Sequence, residues 1–182
     1  MIRYIPPLIL QNYQKNVYQG SLNAYVLLFD IADFTGINMV LQKEGKQGAE
    51  ELSKFLDMVF SVPLEFVEKY GGFVSGFAGD AFCAVFPDAK AESIISVVNS
   101  IRKHFRDNPV YKTAFGEFAL QVRQTICYGA VEWQIYRNDM QNEYVFLGKV
   151  MQELAELSEQ KRKLSGLRLR QSVFVEQVSK PA

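Results

Sequence analysis

Two acidic residues fifty positions apart, Asp30 and Asp80, carry the clearest chemical signal in the chain. The first closes an apolar run in Phe29-Asp30-Ile31-Ala32-Asp33-Phe34-Thr35-Gly36, and the second stands in Phe77-Ala78-Gly79-Asp80-Ala81-Phe82. Each places an Asp at the edge of a strand-like segment, beside a glycine-containing turn. Hard carboxylate oxygens held this way can share divalent cations and leave coordination positions open to the phosphates of a nucleotide. Taken singly, Asp80 reads as a hairpin-turn residue and Asp30 as a helix cap. The metal-binding reading rests on the two together.

Other reactive side chains read more plainly. His104, in Arg102-Lys103-His104-Phe105-Arg106, belongs to a basic helix end that complements the helix dipole. Lys161, Arg162, Lys163, Arg168 and Arg170 read as a solvated face, and Trp133 as core or dimer surface. Cys83 and Cys127 lie in apolar strand-like runs, as buried reduced thiols of a cytosolic protein would. With one histidine, two cysteines cannot complete a zinc site.

Twenty basic residues balance twenty acidic ones, so no overall field favours nucleic acid or an anionic membrane. At 182 residues and 48% hydrophobic content, the chain suits one well-buried domain. The run Ile5-Pro6-Pro7-Leu8-Ile9-Leu10 is too short and Pro-interrupted for a signal peptide or a membrane span. A cytoplasmic location is expected.

The elements that must position the two Asp residues follow from hydrophobic spacing. Residues 1–22 read as an irregular arm, 23–178 as the domain and 179–182 as a tail. Tyr25 to Ile31 reads as a buried central strand. Thr35 caps a short helix to Leu41, broken by Gly45-Lys46-Gln47-Gly48. Leu52, Phe55, Val59, Phe60, Leu64 and Val67 give a helix that Pro63 should kink or divide, stopping at Gly71-Gly72. Phe73–Phe77 and Ala81–Phe86 form a hairpin around Ala78-Gly79-Asp80. A helix follows through Ala91, Ile94, Val98, Ile101 and Phe105. Phe118–Tyr128 reads as a strand, with Gly129 turning the chain into Val131–Tyr136, and Arg137 to Asn142 as a loop. A short strand, Tyr144–Leu147, leads to a late helix. Leu167–Leu169 and Ser172–Val178 read as a closing strand and helix. This order predicts an α+β sandwich, a mostly antiparallel sheet with helices packed on one face.

The segments Asp30-Ile31-Ala32-Asp33-Phe34-Thr35, Gly71-Gly72 and Phe77-Ala78-Gly79-Asp80 resemble, in order and spacing, the class III nucleotidyl cyclase catalytic domain. The Gly48-Ala49-Glu50-Glu51-Leu52 helix start and the Tyr144–Leu147 strand look most like the first cyclase domain of soluble bicarbonate-responsive adenylyl cyclases. The resemblance implies a ferredoxin-like (βαββαβ) fold and conversion of ATP to cyclic AMP and pyrophosphate. It implies that Asp30 and Asp80 bridge two Mg²⁺ or Mn²⁺ ions, with the Ile31 carbonyl as a further ligand. It also implies that the amides of Phe34, Thr35 and Gly36 cradle the terminal phosphates at a helix start. ATP and a second cyclase domain are the expected partners, in a hetero- or pseudo-heterodimer or a homodimer, and relatives in this branch often continue into further domains.

Several positions depart from that pattern. Gly76 stands where the family reads the base with Lys, and Val145 where it uses Asp or Thr. Gln152 and Glu156 replace the Asn and Arg that steady the transition state, and Glu carries the wrong sign for that task. Asp33 replaces a Gly beside the phosphate cradle, where a carboxylate repels a triphosphate unless a cation covers it. Neither Gly76 nor Ala155 supplies the basic group that a bicarbonate response would need. Two readings stay open: a metal-bearing half that is active only with a complementary domain, and a degenerate cyclase-like domain for dimerisation or nucleotide sensing. A polymerase-like palm domain fits the Phe34-Thr35-Gly36 segment and the late helix less well.

Overall fold

The apolar run that ends in Asp30 folds as the middle strand of a five-stranded sheet. The computed structural model describes residues 5–137 and 142–165, the last five as backbone alone. Its elements begin with α1 (Pro7–Gln14), β1 (Gln19–Ile31), α2 (Phe34–Gln42), α3 (Gly45–Lys69), β2 (Phe73–Ala78) and β3 (Ala81–Pro87). They continue with α4 (Ala91–Asp107), β4 (Val110–Thr113), β5 (Gly116–Ala119), β6 (Val122–Arg137), β7 (Asn142–Leu147) and α5 (Lys149–Ser165). The main sheet runs in the order β2-β3-β1-β6-β7, each neighbouring pair antiparallel, while β4 and β5 make a separate two-stranded ribbon.

Because side chains alternate along a strand, β1 serves two layers. Tyr25, Leu27, Phe29 and Ile31 pack with Ile37 and Leu41 of α2, Phe55 and Val59 of α3, and Ile94 and Ile101 of α4. Ala24 and Val26, on the opposite face, pack with Val150 and Leu154 of α5. The expected helical layer is therefore α2, α3 and α4. The other face is partly covered too, by α5 and by α1, whose Ile9 meets Trp133 and Ile135.

Several local expectations are revised. From residue 5 onward the arm carries regular structure: Pro6 leads into α1, and β1 starts at Gln19, earlier than the apolar run suggested. Gly45 opens α3 with φ +57°, and Gly48 lies inside that helix. A Cβ on Gly48 would stand 1.7 Å from the Leu41 carbonyl oxygen, so this glycine lets α2 cross closely over α3. Pro63 does not divide α3, since Phe55, Val59 and Phe60 before it and Val67 after it are buried in one layer. Gly129 does not turn the chain. It continues β6 opposite Ala24, and its missing Cβ makes room for Val150 of α5, 3.1 Å from where that atom would be.

The Phe118–Tyr128 strand is split at Leu120-Gln121 into β5 and β6. The Gly71-Gly72 stop is present, with the Gly72 amide donating to the Val67 carbonyl at 2.9 Å. The segments Leu167–Leu169 and Ser172–Val178, and residues 138–141 of the polar loop, lie outside the described residues.

Candidate active site

Three pieces of chain meet where β1 ends. Asp30 is in register with Ala81 of β3 on one side and Arg123 of β6 on the other. The Ile31 amide donates to the Asp80 carbonyl at 3.2 Å, and the Ala32 amide to the Gln121 carbonyl at 2.7 Å. The β2–β3 connection is the two-residue turn Gly79-Asp80. Gly79 takes the positive φ of +61° that a tight hairpin asks of its first turn residue. Antiparallel pairing therefore brings the backbones of Asp30, Ile31 and Asp80 together from distant parts of the chain.

Asp30 is 1% exposed, a burial that a carboxylate tolerates only with partners. Arg123 supplies one: its Nη2 lies 3.1 Å from Asp30 Oδ1. Sequence reasoning passed over Arg123. The available signal was a cation near the start of a long strand whose same-face residues include Cys127, Val131, Trp133 and Ile135, since a charge on such a face needs a counter-charge. Among the described residues, no three His, Cys, Asp or Glu side chains are grouped to hold a metal ion. The expected ligands, the Asp30 and Asp80 carboxylates and the Ile31 carbonyl, would offer hard oxygens, the kind that suits Mg²⁺ or Mn²⁺.

Helix α2 starts two residues beyond β1. Its N-cap is Asp33, in the left-handed conformation with φ 55° and making no side-chain cap bond. The Asp33 carbonyl accepts from the Gly36 amide at 3.1 Å and the Ile37 amide at 3.4 Å. Of the three amides expected to cradle phosphate, Gly36 is thus already engaged. The carboxylate folds back over the first turn: both of its oxygens lie 3.1 Å from where a Cβ on Gly36 would stand.

A cleft of ≈ 260 Å³ opens on the α5 side of the sheet, lined by Leu28, Gly76, Phe77, Cys83, Phe146 and Met151 among others. Leu28 precedes Asp30 by two residues, so the cleft and the carboxylate share a sheet face. Its walls are mostly apolar, and Phe77 at its rim is 57% exposed. Burial pushes the Cys83 thiol above its ordinary value, with Ser75 opposing. Gly76 lines the cleft with nothing within 4 Å of a built Cβ. Val145 does not line it. It pairs with Gln134 on the alternate face from Phe146, so the cleft receives Phe146 instead. Gln152 and Glu156 stand exposed, four residues apart on α5.

No family model and no curated relative matches the chain by sequence. Solved structures share its fold. A bacterial light-regulated adenylyl cyclase superposes with a TM-score of 0.70 at 19% identity, over 89% of this chain and 48% of that one. The guanylate cyclase domain of RhGC from Catenaria anguillulae, in complex with GTP, gives 0.60 at 16% identity over 77% and 74%. The adenylyl cyclase CyaB from P. aeruginosa gives 0.55 at 20% identity over 79% and 74%. The chain spans about half of the light-regulated protein, 48% of its length. The fold is that of adenylyl and guanylyl cyclase domains.

Proposed function

We propose that this chain is the metal-bearing half of a nucleotidyl cyclase, with ATP as substrate and a complementary cyclase domain as partner. The observation that carries the reading is the Ile31 amide to Asp80 carbonyl bond of 3.2 Å, which joins two Asp-bearing strand ends beside the start of α2. The cyclase structures of the same fold support it, one of them bound to GTP. Nothing among them singles out the bicarbonate-responsive branch or either purine. ATP is retained as the substrate from the sequence resemblance.

In the proposed reaction the ribose 3′-oxygen of ATP attacks the α-phosphorus. The bond from that phosphorus to the bridging oxygen breaks, pyrophosphate leaves, and the 3′-hydroxyl proton passes to solvent. Two divalent ions, when bound, would lower the pKa of the attacking hydroxyl and neutralise phosphate charge. Asp30 and Asp80 would hold them, with the Ile31 carbonyl as a further donor. Arg123, on Asp30 and 25% exposed at its side chain, would donate to phosphate oxygens as well. The Phe34 and Thr35 amides, at the helix start, would face the terminal phosphates. Base reading and transition-state contacts would come from the partner, because Gly76, Gln152 and Glu156 supply neither.

The second reading, a degenerate domain without chemistry, is favoured by Asp33, whose negative charge lies over the first turn of α2. One experiment separates the two. The purified chain is mixed with a cyclase domain that carries the base-reading Lys and the Asn/Arg pair, and cyclic AMP is assayed with Mn²⁺ and ATP. Product that vanishes in Asp80→Ala supports the first reading; absence of product and of Mn²⁺ binding supports the second.

A further inference from the structure

We infer that Arg123 acts as a resident cation on Asp30, holding the carboxylate until a divalent ion displaces it. The inference rests on the proposed metal-bearing function and concerns how its site is entered. Asp30 and Arg123 stand opposite each other in the β1–β6 ladder, so both side chains leave the same face of the sheet. Arg123 Nη2 reaches Asp30 Oδ1 at 3.1 Å. Asp30 is 1% exposed, and a carboxylate that deep needs a positive charge beside it whether or not metal is bound. The strand register builds that charge in. A divalent ion arriving at Asp30 therefore meets a carboxylate that already carries a cation, and two cations on one carboxylate repel. The two partners are not equally free to move. Arg123 keeps 25% of its side chain exposed while Asp30 is enclosed, so the guanidinium is the partner that yields. The pairing keeps Asp30 in place when metal is scarce and raises the concentration at which the site fills.

The test is Mn²⁺ binding to the full chain, read by electron paramagnetic resonance, with urea unfolding as a second readout. Arg123→Met removes the resident charge and keeps apolar bulk, whereas Arg123→Lys keeps a charge. Arg123→Met is expected to bind Mn²⁺ roughly tenfold more tightly than the parent, the scale of one like charge removed beside the ion. Arg123→Lys is expected to stay closer to the parent. Mn²⁺ should also raise the urea midpoint of Arg123→Met more than that of the parent, because the ion takes over the charge that the variant lost. A guanidinium with a merely structural role predicts the same loss of midpoint with and without Mn²⁺. Should Arg123→Met not fold, the parent decides: Mn²⁺ is expected to speed phenylglyoxal labelling of Arg123, mapped by mass spectrometry, as the guanidinium leaves Asp30. Unchanged Mn²⁺ affinity in a folded Arg123→Met protein, or parent labelling indifferent to Mn²⁺, overturns the inference. Mn²⁺ bound by no form, or bound alike by the parent and Asp30→Asn, overturns the metal site itself and so is told apart from a failure of the pairing alone.

Discussion

Arg123 Nη2 sits 3.1 Å from Asp30 Oδ1, and the two partners are unequally buried: the side chain of Asp30 is 1% exposed and that of Arg123 25%. The cost of breaking such a pair falls on whichever charge stays inside. Arg123→Met would take the guanidinium from a carboxylate that stays inside the sheet, whereas Asp30→Asn leaves a guanidinium that is partly exposed to water. We therefore expect Arg123→Met to lose about 3 kcal/mol in urea unfolding, and Asp30→Asn to lose clearly less. Equal losses would mean that the pair does not neutralise Asp30 in the way its burial suggests.

Asp80 offers the cleaner probe of metal binding. It lies half-buried in the Gly79-Asp80 turn, outside the β3 ladder, so Asp80→Ala is expected to cost under about 1 kcal/mol. The same variant should abolish Mn²⁺ occupancy if both carboxylates are needed to hold the ions. Retention of Mn²⁺ by a well-folded Asp80→Ala protein would remove Asp80 from the ligand set.

Much of this arrangement could be read from residue order, and the reasons it stopped short are physical. Tyr25–Ile31 announced a central strand because an apolar run buried on both faces loses its alternation, and β1 is flanked by β3 and β6. The Gly79-Asp80 turn was legible because glycine supplies the positive φ a tight hairpin needs. Gly48 and Gly129 misled because the same residue type also serves close packing, against the Leu41 carbonyl and Val150. That distinction lies in tertiary contacts and leaves no local mark. Arg123 was missed for a similar reason: its partner is 93 positions away, and only the β1–β6 register brings them together. Val145 falls at the family's base-reading position in the sequence, but only its pairing with Gln134 shows which sheet face it takes.

Cys83 reports on the cleft. Burial holds its thiol above the ordinary value, so the folded protein carries less thiolate at any given pH than a free cysteine does. Alkylation by iodoacetamide should be slow near pH 8 and accelerate only well into the alkaline range. The protonated form is the one favoured by folding, so this contribution to stability is intact below the unfolded thiol value and is lost as pH rises past it. Rapid labelling at neutral pH, mapped to Cys83 by mass spectrometry, would contradict a raised thiol in the half-buried cleft wall.

Two glycines on the α5 side of the sheet should respond oppositely to a side chain. At Gly129 a new Cβ meets Val150 at 3.1 Å, so Gly129→Leu must push α5 away from β6, and a loss of about 1–3 kcal/mol is expected. At Gly76 the space is open, and Gly76→Lys should leave stability within about 0.5 kcal/mol while directing an ammonium to the cleft. On the proposed function that substitution would supply one base contact and nothing else, because Gln152 and Glu156 on α5 carry no positive charge for a phosphoryl transition state. The Gly76→Lys protein alone should therefore bind Mn²⁺ as the parent does and make no cyclic AMP above background. Turnover from it without a partner would show that this chain already contains its own transition-state contacts, and the division of labour between two domains would have to be abandoned.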